Sequence, residues 1–212
     1  MQLCIFTRHQ STIKISLLMK RIAVFCGSSI GFNTIYALEA KKLGYYLAQK
    51  NIGLVFGGGK IGLMGTIADA VLEKNGEVIG VIPDLLRHEE VAHTKITRML
   101  VTRKMSKRKV KMSKLVDGYI AMAGGFGTLD EIFEALTLGQ LGIEHKPVGI
   151  LNTNGYFDHT LKQLDVMVDE GFLKQINKDM LIISSSFENL IKKMQNYQAP
   201  KISKVVNTVA TK

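Results

Sequence analysis

The stretch 119-YIAMAGGFGTLDE-131 runs from an apolar segment into glycines, a threonine and two consecutive acids. Glycines that end a hydrophobic strand and enter a helix make a place for phosphate, because free backbone N–H groups and the positive end of the helix dipole face the ligand. Thr128 can add its hydroxyl to the N–H groups of Gly125 to Thr128. Acids at a helix start repel phosphate, so their presence asks for a ligand with two different ends. Glu131 lies about one helical turn past the loop, and its carboxylate can face the same cleft without touching the phosphate. Glu134 follows three residues on, on a neighbouring face. Taken singly, each acid reads as compensation of the helix dipole. Taken with the glycines, they describe a ligand with a phosphate at one end and a reacting sugar carbon further in, the shape of a nucleoside monophosphate.

The elements that must position these groups alternate along the chain. Apolar strands are read at 22-IAVFC-26, 52-IGLVF-56, 77-EVIGVIP-83, 115-LVDGYIAM-122, 147-PVGILN-152 and 180-MLIIS-184. Helices are read over 34–50, with Tyr36, Ala40, Leu43 and Leu47 on one face, and over 66–76, closed by Gly76 as C-cap. Further helices follow over 129–142, 157–169 and 186–197. Continuous apolar strands separated by amphipathic helices imply a mostly parallel sheet covered on both faces. The fold class is therefore α/β, doubly wound and Rossmann-like, in a single domain over 19–198. Ligands of such folds sit at the carboxyl ends of the strands, near the topological switch. Three strands end there in glycine loops, at 27-GSS, 57-GGG and 124-GGFGT, whose N–H groups could converge on one anion.

A dinucleotide fits poorly. The loop 27-GSSIGF-32 lacks the G-x-G-x-x-G spacing, and 57-GGGKIG-62 has that spacing but no acid closing the next strand to bind a ribose. No glycine loop continues as G-K-[ST], which excludes a P-loop. Ser28 and Ser29 either bind a sugar or base, or cap the following helix. The five histidines have no metal-ligand spacing, so no metal is expected, and no cofactor.

The net charge of +10 concentrates in 95-KITRMLVTRKMSKRKVKMSK-114, which carries nine Lys or Arg and no acid. It lacks the aromatics that stack on bases, so no nucleic-acid partner is expected. Two cysteines, Cys4 and Cys26, are too few for a disulfide framework and suit a reducing cytoplasm. No apolar run reaches the ~20 residues of a membrane span. Residues 1–18 read as a disordered extension, or as an upstream start ahead of Met19, and 199–212 as a basic flexible tail.

The segment 123-AGGFGTLDE-131 resembles the P-G-G-x-G-T-x-x-E motif of the Lonely Guy (LOG) family, cytokinin riboside 5′-monophosphate phosphoribohydrolases long mislabelled as lysine decarboxylases. The segments 24-VFCGSS-29, 57-GGGKIGLMG-65, 79-IGVIP-83, 105-MSKRKVKM-112, 117-DGYIAM-122 and 139-GQLGIEHKPVGILN-152 resemble family segments in the same order. The likeness spans roughly residues 20 to 195. It implies hydrolysis of the N-glycosidic bond of an adenine-type nucleoside 5′-monophosphate, cytokinin riboside monophosphate or AMP, to free base and ribose 5-phosphate. It places catalysis on Arg108 and Glu131. Substrate contacts are implied at Glu90, Lys109, the loop Gly124, Gly125, Phe126, Gly127, Thr128, Leu129 and Asp130, and Thr137; Ser28, Gly58 and Gly59 join them from the other two glycine loops. A homodimer or higher oligomer is implied, with the motif helix near the partner. Three positions depart from the family: Ala123 replaces the motif proline, Phe56 a tyrosine and Leu138 a tryptophan.

Cleavage of an N-glycoside builds positive charge on the sugar. Glu131 is expected to stabilise that charge and take a proton from the attacking water. Arg108 is expected to hold the sugar phosphate or Glu131 itself, and Asp130 or Glu90 to assist the leaving base. The alternatives are a nucleotide-binding protein or sensor without chemistry, and a lysine decarboxylase built on Lys60, the lysine of a glycine loop.

Overall fold

The computed structural model describes residues 18–86 and 92–200. Seven strands form one sheet: β1 (Arg21–Phe25), β2 (Gly53–Phe56), β3 (Val78–Pro83), β4 (Arg98–Thr102), β5 (Gly118–Ala121), β6 (Val148–Leu151) and β7 (Leu181–Ser184). Every pairing is parallel, in the order β4-β3-β2-β1-β5-β6-β7. Among the described residues seven α-helices flank the sheet: α1 (Ile35–Gln49), α2 (Gly62–Glu73), α3 (Met105–Ser113), α4 (Phe126–Gln140), α5 (Asp158–Asp169), α6 (Gln175–Lys178) and α7 (Phe187–Gln195).

The central strands are buried along their whole length, which is why they read as unbroken apolar runs. Side chains alternate between two cores. Ile22 and Val24 of β1 join one core with Leu43, Leu47, Ile67 and Ile191, while Ala23 and Phe25 join the other with Met112, Ile132, Phe157 and Leu164. The sequence order reverses between β1 and β5. The loops that leave these two strands at their carboxyl ends diverge to opposite sides, and that opens the crevice in which the site lies.

The expected single α/β domain is thus present, with four local corrections. The sequence reading passed from the third strand straight to 115-LVDGYIAM-122, whereas β4 and α3 lie between them; lysines and arginines outnumber apolar residues in that segment and mask its periodicity. The helix expected from 66 starts at Gly62, and the one expected from 129 starts at Phe126, so much of each glycine segment is a first helical turn rather than loop. The residue beyond α2 that turns left-handed is Asn75, at φ 57°, in place of the expected Gly76. α6 was also missed, since four residues carry no periodicity.

Of the expected extension, residues 1–17 lie outside the described residues; Leu18 is exposed and Met19 is packed into the core. Most of the expected tail, 201–212, also lies outside them. Among the described residues no helix is long and apolar enough to cross a membrane.

Candidate active site

The three glycine loops meet at one edge of the sheet, but their helix N-termini are not equivalent. At α1, the side chain of Asn33 accepts the N–H of Ile35, so Ser28 and Ser29 are not its caps. At α2, the carbonyl of Gly27 accepts the N–H groups of Leu63 and Met64 at 3.1 and 3.4 Å. At α4 no side chain caps the helix. The amides of its first turn, Gly125 to Thr128, are left free by helix geometry. Of the three termini, this one therefore leaves the longest run of amides open to an anion.

A cavity of about 300 Å³ opens against it, lined by Ser28, Gly57, Arg108, Phe126, Thr128 and Glu131 among others. A second cavity of about 290 Å³ adjoins it and shares Gly27, Ser28 and Gly125 with it. Thr128 is buried, and a Cβ on Gly124 would come 2.1 Å from its hydroxyl oxygen, so the loop and the first turn pack without room for a side chain.

Arg108 enters from the first turn of α3 and Glu131 from the second turn of α4. Nη1 of Arg108 lies 2.9 Å from Oε1 of Glu131, and the two side chains are 13% and 9% exposed. Nε of Arg108 donates to the carbonyl of Val81 on β3 at 3.0 Å. Nη2 lies against Gly57, where a Cβ would approach it to 2.6 Å. The guanidinium is thus pinned on three sides. Despite the short distance, Oε1 of Glu131 accepts no hydrogen bond from the described residues. Burial raises the Glu131 pKa above its usual value; the charges of Arg108 and Lys109 pull the other way, and Asp130 and Glu134 push it up further. Burial also pushes the neighbouring Cys26 thiol far up, with a contribution from Glu131, so it stays protonated.

The other expected residues divide. Ser28, Gly125, Phe126, Gly127 and Thr128 line the Arg108–Glu131 cavity, and Gly124 lines the adjoining one. Gly58 and Gly59 sit just behind Gly57, held by the N–H of His93 on the Gly58 carbonyl and by a bridge between Gly59 and Ala92. Leu129 packs against the core. Lys109 is turned to the far side of α3, where its ammonium lies 2.7 Å from Asp130 and also contacts Glu134. Burial alone would lower its pKa, but those two carboxylates raise it. Asp130 is thereby held outside the cavity. Thr137 is exposed about three turns along α4, its hydroxyl donating to the Phe133 carbonyl. Glu90 lies outside the described residues. Lys60 is exposed and lines neither cavity. Among the described residues no cluster of His, Cys, Asp or Glu could hold a metal ion.

The sequence reading missed Gly57, Met64 and Met105 as lining residues, and Tyr156, whose hydroxyl donates to the carbonyl of Gly124 at 2.7 Å.

Residues 64–194 match the family described as "Possible lysine decarboxylase". Cytokinin riboside 5′-monophosphate phosphoribohydrolase LOG1 of Arabidopsis thaliana is 43% identical over 188 residues, 89% of this chain and 88% of that one. The chain belongs to the LOG family. LOG3 of the same plant is 41% identical over 178 residues, 84% of this chain and 83% of its own. In Oryza sativa subsp. japonica, the probable LOG-family enzyme LOGL2 is 40% identical over 188 residues, 89% of this chain and 77% of its own. Among solved structures, a molybdenum cofactor binding protein from the phototrophic bacterium Rippkaea orientalis superimposes with a TM-score of 0.63 at 23% identity, covering 84% of this chain and 96% of that one. At that identity the likeness is one of fold. The LOG motif itself is the loop, first turn and Glu131 described above.

Proposed function

We propose that this chain hydrolyses the N-glycosidic bond of adenine-type nucleoside 5′-monophosphates, cytokinin riboside monophosphates and AMP, to free base and ribose 5-phosphate. The observation that carries this is the Arg108–Glu131 pair, which shares one cavity with the uncapped N-terminus of α4 in a member of the LOG family. The free amides of Gly125 to Thr128 take the 5′-phosphate. That places the sugar over Glu131, one turn further in. As the glycosidic bond breaks, positive charge grows on the ribose, and a carboxylate in a buried site stabilises it strongly. Glu131 also accepts the proton of the attacking water. Arg108 holds Glu131 ionised and oriented, with Nη2 against Gly57. The leaving base takes a proton or hydrogen bond at its ring. Asp130 or Glu90 serves this role.

Free-base release from AMP and from isopentenyladenosine monophosphate, with Glu131→Gln in parallel, tests the reading. Release that disappears in the variant is expected. No release from either substrate with nucleotide still bound overturns it in favour of a nucleotide-binding protein without chemistry.

We also infer a homodimer through the α3–α4 face and a cytoplasmic location. A cavity of about 540 Å³ on that face is lined by Phe25, Val110, Met112, Leu138 and Ile143. Leu141 and Ile143 beside it are 57% and 64% exposed. An apolar face of this kind suits a second copy, and Leu138, in place of the family's tryptophan, lies within it. The cytoplasmic location is supported by the buried free thiol of Cys26.

A further inference from the structure

We propose that Tyr156 is a positioning residue for the phosphate end of the site, a role that rests on the hydrolase reading above. The loop before α4 contains two successive glycines, Gly124 and Gly125, which have the widest backbone freedom of any residues. Two hydrogen bonds fix it. The N–H of Gly27 donates to the carbonyl of Ala123 at 2.9 Å, and the hydroxyl of Tyr156 donates to the carbonyl of Gly124 at 2.7 Å. The second bond acts on the peptide that matters. The Gly124 carbonyl and the Gly125 N–H belong to one planar trans peptide unit and point in opposite directions. A hydroxyl that holds the carbonyl therefore sets the direction of the first free amide of α4. Tyr156 lines only the adjoining cavity, whereas Gly125 lines both, so the peptide held by this bond stands on the border of the catalytic cavity.

The surroundings of Tyr156 are built to hold it there. It follows a tight turn in which Asn154 and Gly155 both take left-handed backbone, at φ 54° and 68°. The side chain of Asn152 closes the turn, accepting the N–H of Phe157 at 2.8 Å and donating to Asp158 at 2.7 Å. Phe157 is buried in the core and anchors the segment. The Tyr156 ring stands edge-on to Tyr36 of α1, centroids 5.5 Å apart, and to Phe157 at 5.0 Å. Ring packing thus fixes the hydroxyl without any contact to the reacting sugar. With alanine at 123, the loop has no proline to stiffen its approach, and the tyrosine supplies the restraint from outside.

Tyr156→Phe removes the hydroxyl and keeps the ring. In the full chain, amide hydrogen exchange of Gly27 and Leu129, whose N–H groups are bonded to the Ala123 and Gly125 carbonyls of this loop, is expected to quicken about five- to tenfold, the range of one net hydrogen bond, with Tm lower by only a few degrees. Tyr36→Phe, whose hydroxyl makes no bond to this loop, leaves that exchange unchanged. With AMP as substrate, KM is expected to rise by about the same factor at nearly constant kcat, because the amide contact is made in ground and transition states alike. Unchanged exchange in Tyr156→Phe overturns the proposal, as does faster exchange with KM unmoved. Should the wild-type protein bind AMP but release no base, the hydrolase reading fails alone. Calorimetric Kd values for AMP with the two proteins then decide the tyrosine's role: a weaker Kd in the variant upholds it and an equal Kd overturns it.

Discussion

Arg108 and Glu131 stand 2.9 Å apart, yet among the described residues Oε1 of Glu131 accepts no hydrogen bond. The pair is held by charge, with the carboxylate 9% exposed. Burial raises the Glu131 pKa above the ordinary 4.5, and Arg108 and Lys109 restrain the rise. The reaction needs the ionised carboxylate, so activity falls as pH drops through the raised value. The acid limb of the kcat/KM profile is expected above pH 4.5. Arg108→Met removes the larger restraining charge, so the limb of its residual activity moves to higher pH. Lys109→Met moves it the same way by less. A limb at or below 4.5, or one that moves down in either variant, contradicts this assignment.

Arg108→Lys separates charge from shape. The guanidinium donates to the Val81 carbonyl through Nε, pairs with Glu131 through Nη1 and lies against Gly57 through Nη2. An ammonium can serve one of these partners at a time. A hydrogen bond to a charged group contributes about 1.5–3 kcal/mol, so kcat/KM is expected to fall roughly 10- to 100-fold. Steady-state kinetics beside a thermal melt checks it, and unchanged turnover removes Arg108 from catalysis.

The sheet was legible because its strands are buried on both faces and so appear as apolar runs, 52-IGLVF-56 and 147-PVGILN-152 among them. Edge strand β4 was not, since Arg98 and Val101 are exposed and its apolar run, 99-MLV-101, is short and set among lysines and arginines. The roles of Thr128 and Glu131 follow from local spacing in one loop and helix. The side to which Lys109 turns does not, because it depends on how α3 packs against Asp130 and Glu134 of α4. Tyr156 was hidden for the same reason. Its partner Gly124 is 32 residues away, and only the parallel pairing of β5 with β6 brings the two together.

Ile143→Glu tests the dimer. Ile143 is 64% exposed in the single chain, so a carboxylate there costs the protomer little. Buried unpaired against a second copy, the same charge is strongly unfavourable. Sedimentation is expected to show the native chain as a dimer and the variant as a monomer with an unchanged Tm for the protomer's own melt. A variant that still sediments as a dimer places the interface elsewhere.

Gly124→Ala tests the phosphate end without touching Arg108 or Glu131. A Cβ at 124 would lie 2.1 Å from the Thr128 hydroxyl oxygen and 2.8 Å from the Gly27 nitrogen. Thr128 is buried, and the Gly27 nitrogen is backbone bonded to Ala123, so neither can simply swing away. The loop must move, taking the Gly124 carbonyl off Tyr156 and the Gly125 amide off the ligand. Overpacking of this kind costs about 1–3 kcal/mol, so a lower Tm is expected from a chain that still folds. The sharper readout is selectivity. The phosphate contacts serve AMP and not adenosine, so the ratio of kcat/KM for AMP to that for adenosine is expected to fall about tenfold or more. A lower Tm with that ratio intact means that the phosphate is held elsewhere, and the α4 N-terminus then loses its role as the phosphate site.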